Sequence, residues 1–83
     1  MKVNFSKHAK RQLKERNIPE SIVASALEEP DQVLHSKKGR KIAHKMFEKD
    51  GEHFLLRVIF LEENDAKKVI TGYCTSRIDK YWR

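Results

Sequence analysis

Apolar residues in the first third of the chain fall at helical spacing. Phe5, Ala9 and Leu13 stand four residues apart and form a narrow stripe. Ser6 serves as an N-cap, and the pattern predicts a helix from there to about Arg16. Asn17 ends it in a left-handed conformation. Pro19 suits the first position of a second helix. Ile22, Val23, Ala26 and Leu27 give that helix its buried face, and Pro30 stops it. The short connection makes the two a hairpin. Ahead of them, Val3 to Phe5 reads as a short extended segment.

From Asp31 the period changes. Gln32 to His35 reads as a short strand, Ser36 to Gly39 as a turn and Arg40 to Glu48 as a second strand. Asp50-Gly51 marks a tight hairpin. His53 to Leu61 is almost wholly apolar, so it belongs in the middle of a sheet. Glu62 to Ala66 turns the chain, and a last strand starts at Lys67. Val69, Ile70, Thr71, Tyr73 and Thr75 favour a pleated surface there. The expected fold class is α+β, in one domain over residues 1–83. An N-terminal two-helix hairpin packs on a three- to four-stranded antiparallel sheet whose other face is partly open.

Alternation then assigns faces. Phe54, Leu56, Val58 and Phe60 belong against the helices, which leaves Leu55, Arg57, Ile59 and Leu61 on the other side. Arg57 is expected to be at least half buried, and either paired or aimed into a cleft, because a bare buried charge is costly. In the last strand, Val69, Thr71, Tyr73 and Thr75 share one side. That hydroxyl-bearing side suits a polar cleft beside Arg57 and suits a solvated edge equally well. In the second strand either His44 or Lys45 joins the cleft, and the sequence leaves the choice open.

Charge sharpens the picture. The net charge is +6, and it comes in blocks: +5 over residues 1–17, −4 over 18–34, +5 over 35–49, −4 over 50–66 and +4 over 67–83. If the basic blocks converge, the protein presents a positive face to a polyanion, with nucleic acid the leading candidate. There is no apolar run of the ~20 residues needed to span a bilayer, and no apolar leader segment, so no membrane role and a cytoplasmic location are expected. The single cysteine, Cys74, excludes an internal disulfide. The four histidines lack zinc-binding spacing, and no carboxylate cluster suggests magnesium. No metal or other cofactor is expected. His8, at the border of the first helical stripe, is the candidate acid or base, since histidine titrates nearest neutrality. The plainer alternative is a packing histidine.

Two stretches carry a resemblance. The opening FSKHAKRQLKERNIPESIVASALEEPDQV and the closing TGYCTSRIDKYW resemble the two ends of an uncharacterised prokaryotic family of small toxin-like domains, the DUF4258 type. Asn17 stands where glycine is common in that family, and residues 35–49 match only in being basic. The resemblance implies a relation to the ribonuclease superfold of barnase, the EndoU nucleases, the colicins and RelE-type toxins, with a layout similar to BrnT-type toxins. It implies a metal-independent endoribonuclease of a toxin–antitoxin pair, or a descendant that keeps only RNA binding or protein interaction. RNA and an acidic antitoxin are the partners it implies. The positions that match are His8, Arg11, Glu15, Arg16, Thr71, Tyr73, Thr75, Ser76, Lys80 and Tyr81.

Cleavage by the ribose 2′-hydroxyl needs a base, an acid and cations around the phosphorane. His8, Arg57 and Tyr73 are expected to be catalytic, with His8 across the cleft from Tyr73. Arg11, Arg40, His44, Lys45, Thr71, Thr75, Lys80 and Tyr81 are expected to bind substrate. In a binding module without catalysis, Tyr73, Tyr81 and Trp82 would serve instead for stacking.

Overall fold

The computed structural model describes residues 2–83. Strand β1 (Lys2–Phe5) leads into helices α1 (Lys7–Glu15) and α2 (Glu20–Glu28). Strand β2 (Gln32–His35) and one 3-10 turn over Lys37–Gly39 follow. Strands β3 (Lys41–Lys49), β4 (Glu52–Glu63) and β5 (Ala66–Thr75) then form a meander, and a four-residue helix α3 (Ile78–Tyr81) closes the chain. The strand order is β1-β5-β4-β3-β2, with β1 parallel to β5 and the other pairs antiparallel.

The class is therefore α+β, but the sheet has five strands and is mixed. The extended start is a full edge strand, pairing Lys2 with Ala66 and Phe5 with Val69. Four residues carry too little alternation to announce a strand, and a partner more than sixty positions away leaves no local signal. The third helix was also unforeseen. It is a single turn and lacks a side-chain cap.

The helix boundaries follow from their caps. The Ser6 hydroxyl accepts the Ala9 N–H at 3.0 Å. Asn17 takes φ 57°, the left-handed exit. Pro19 is the N-cap of α2, one residue outside the helix. Two acids, Glu28 and Glu29, crowd the negative end of α2. The ammonium of Lys45 offsets them by donating to the Glu29 carbonyl at 2.8 Å.

Both helices bury one stripe against one face of the sheet. Ala9, Leu13, Val23, Ala26 and Leu27 close over Ala43, Leu56, Val58, Phe60 and Val69 to form the core. Gly72 lies under α1, where a Cβ would sit 3.4 Å from Leu13 Cδ2, at van der Waals contact. Asp50 and Gly51, at φ 53° and 80°, make the two-residue turn between β3 and β4. Gly51→Ala should therefore cost about 1 kcal/mol, because alanine resists positive φ. A shift in urea midpoint would measure it.

One irregularity re-phases β5. Ile59 faces Thr71 and Phe60 faces Val69, so Ile70 is an extra residue in a bulge. The expected single face of Val69, Thr71, Tyr73 and Thr75 is broken there. Val69 is fully buried in the helix-side core, while Tyr73 lies beside Arg57.

Candidate functional site

Register lines up four polar side chains across four strands. Gln32 of β2 pairs with His44 of β3, His44 with Arg57 of β4, and Arg57 with Tyr73 of β5. Leu56 and Val58, which flank Arg57, belong to the helix-side core. Alternation therefore sends this row to the face away from the helices.

Hydrogen bonds run along the row in a fixed direction. Arg57 can only donate. Its Nε–H therefore donates to His44 Nε2 at 3.0 Å, and its Nη1 donates to the Tyr73 hydroxyl. With Nε2 accepting, the His44 proton resides on Nδ1, which donates to Gln32 Oε1 at 3.1 Å. His44 is fully buried. Burial first, and the Arg57 charge second, hold its pKa below the ordinary 6.5. His44 is thus a neutral acceptor at pH 7.

This depression makes stability depend on pH. The unfolded chain takes up the His44 proton near pH 6.5, whereas the folded protein resists it until lower pH. The His44 contribution is fully present above that value and drains away as pH falls below it. Denaturation midpoints should fall between neutral pH and pH 5 more in the parent than in His44→Gln.

The chain beyond β5 covers the row. The Arg77 N–H donates to Thr75 Oγ1 at 3.1 Å, and α3 carries Tyr81 over the Arg57 guanidinium, 4.0 Å from Cζ to ring centroid. Trp82 stacks on His44, with centroids 6.1 Å apart and planes 24° from parallel. Arg83 then meets Gln32 twice: Gln32 Nε2 donates to its carbonyl at 2.6 Å, and its N–H donates to Gln32 Oε1 at 3.2 Å. Tyr73 and Tyr81 meet edge to face at 6.4 Å. The Tyr81 phenol is held below its usual range, first by a hydrogen bond with Tyr73 and then by Lys80 and Arg57. Leu55, one row along on the same face, is also fully buried, so this face is less open than alternation alone suggests.

Arg57 is half buried, as a lone charge in a central strand should be, but its partners are neutral. The ion pairs among the described residues are Lys41–Glu62 and His53–Glu48. Of the five guanidinium N–H groups, Nε–H and one on Nη1 are engaged, and none meets a carboxylate.

The other expected site residues lie apart from this row. His8 is exposed on α1, next to Ala9, which is buried on the helix side of the sheet. It is not across a cleft from Tyr73, and the histidine beside Arg57 is His44. Its border position on the helical stripe gave it a buried neighbour but no partner. Between His44 and Lys45, His44 faces the row, whereas Lys45 points to the helix side and caps α2. Arg11 is exposed on α1, and Arg40 is exposed after the 3-10 turn. Thr71 is tied to α1, donating to Gln12 Oε1 and lying 3.4 Å from Arg16 Nη1. Arg16 also donates to the Gly72 carbonyl at 2.8 Å, on the edge of β5 that β1 leaves uncovered. Thr75 pairs with Leu55 and caps the turn into α3. Lys80 is exposed, 5.3 Å from the Tyr81 ring. Gln32 was missed. Nothing marks it in the sequence, because its place depends on two strand registers at once.

Among the described residues, no group of three or more His, Cys, Asp or Glu side chains is arranged to hold a metal ion, and no helix is long and apolar enough to cross a membrane.

Fold and site together define a small basic α+β domain. It carries a carboxylate-free arginine, flanked by aromatic side chains, on the sheet face opposite α1 and α2. The chain belongs to the DUF4258 family, a domain of unknown function whose model matches residues 5–74. No curated protein and no solved structure matches it.

Proposed function

We propose that this domain binds the phosphodiester backbone of RNA at the Arg57 row and cleaves it without a metal ion. The observation that carries the reading is Arg57 itself: a half-buried guanidinium held by two neutral side chains, with donors left for an anion. Bidentate phosphate contact is what such a group offers. The 2′-oxygen bonds to phosphorus while the bond from phosphorus to the 5′-oxygen breaks. Arg57 holds the charge that develops on the non-bridging oxygens. Tyr81 takes the 2′-hydroxyl proton as its phenolate, the form that Tyr73, Lys80 and Arg57 favour, and Tyr73 gives its own proton to the departing 5′-oxygen. Lys80 adds long-range attraction to the backbone. The expected likeness to RelE- and BrnT-type toxins, and with it an acidic antitoxin partner, belongs to the same reading.

A labelled RNA panel incubated in EDTA tests it. The parent should cleave, Tyr73→Phe should lose about 10²–10⁴-fold in rate as expected for one acid–base group, and His8→Ala should match the parent. Parent protein that leaves every RNA intact would overturn the cleavage reading. A second reading, RNA binding without cleavage, is favoured by one observation: the free lone pair of His44 is already occupied by Arg57. Salt-sensitive binding with no cleavage would support it.

A further inference from the structure

The segment from Arg77 to Arg83 matches the polar row residue for residue. Tyr81 sits over Arg57, Trp82 on His44, and Arg83 on Gln32. The segment is a strap with few holds. Its helix is a single turn, and at its start the Arg77 N–H is tied to Thr75. At its far end everything converges on one carboxamide. Gln32 Oε1 accepts from both the His44 ring and the Arg83 N–H, while Nε2 donates to the Arg83 carbonyl. The opposite amide orientation would set donor against donor at Arg83 and at His44.

We propose that Gln32 is a positioning residue that latches the C-terminal strap onto the sheet and, through the same carboxamide, accepts the Nδ1–H of the His44 tautomer that holds Arg57. Strap closure and the aim of Arg57 are then one event. If His44 were to carry its proton on Nε2, that nitrogen would face the Arg57 Nε–H donor against donor. The Nδ1–H form avoids this, and Gln32 Oε1 is the acceptor that satisfies it. The groups facing the His44 ring are Arg57 from β4, Gln32 from β2 and Trp82 from the strap. The nearby Asp31 carboxylate is engaged elsewhere, accepting the Met46 N–H at 2.8 Å. For RNA, the consequence rests on the function proposed above: Tyr81 and Lys80 reach substrate only when the strap is seated.

Trp82 is the only tryptophan, so its fluorescence reports on the strap alone. In the parent, its emission should be blue-shifted and shielded from acrylamide, and ring-nitrogen NMR should show His44 as the Nδ1–H tautomer. Gln32→Leu keeps the bulk and removes the latch. It should shift Trp82 emission to the red and raise acrylamide quenching severalfold, with the far-ultraviolet circular dichroism of the parent. Gln32→Glu sets a carboxylate against His44 Nδ1–H and should keep His44 protonated to higher pH than in the parent, which a purely space-filling role would not do. Neither measurement uses RNA, so a failed cleavage assay leaves them intact. A parent with His44 as the Nε2–H tautomer would overturn the proposal. So would a Gln32→Leu protein with parental Trp82 shielding, or a Gln32→Glu protein with the parental His44 titration.

Discussion

Arg57→Ala is expected to slow the proposed RNA cleavage by about 10²–10³-fold, the usual effect of deleting one preorganised donor to a developing oxyanion. The change removes the only charge in the polar row and the donor to both His44 and Tyr73. The buried His44 Nε2 is left unpaired, at a cost of about 1–3 kcal/mol. An 83-residue domain holds roughly 4–12 kcal/mol at the usual stability per residue, so the variant should still fold, with a lower denaturation midpoint. Arg57→Lys separates charge from geometry. Lysine restores the positive charge, but a single ammonium does not reproduce a planar fork that spans two neighbours. It should recover RNA affinity more than rate. Parental cleavage by Arg57→Ala would remove Arg57 from the mechanism. An unfolded variant would make its role structural.

The largest stability effect is expected at Phe60. Its ring is 1% exposed, and it lies in the central strand facing Val69 and the helices. Phe60→Ala should cost about 3–5 kcal/mol through lost burial and the cavity left behind. That is a large share of the whole stability, and urea titration should show a midpoint lowered by about a third or more. The Lys67 ammonium, 5.3 Å from the ring centroid, loses its aromatic partner as well. Ile59→Ala, at a half-buried neighbouring position, should cost clearly less. Equal costs at the two sites would contradict the packing described for β4.

Much of the fold was legible because its signals are local. The Ser6 cap, the Asn17 exit, the Asp50-Gly51 turn and the apolar run of β4 each declare themselves within a few residues. The helix-facing set Leu56, Val58 and Phe60 followed from alternation alone. What escaped depends on distant partners. The pairing of β1 with β5 spans most of the chain, and the bulge at Ile70 turns a period-two reading of β5 out of phase halfway along. The site divides the same way. Arg57 announced itself as a charge among apolar neighbours. Tyr73 was placed beside Arg57 by an alternation that started at Val69, on the other side of the bulge. Gln32 and the choice of His44 over Lys45 required three strands in register, and His8 misled because a place at the edge of a stripe resembles a place at the edge of a cleft.

The direction of the hydrogen bonds around Arg57 limits what the row can carry. The guanidinium is a donor on both sides, toward His44 and toward Tyr73. A proton wire needs every link to accept on one side and give on the other. Arginine cannot accept, so Arg57 is an insulator in the middle of the row. Protons do not pass between the histidine half and the tyrosine half. Whatever moves a proton at Tyr73 or Tyr81 must exchange it with water or a ligand on that side, while His44 and Gln32 keep their bonding pattern throughout. The two halves share a field but no current.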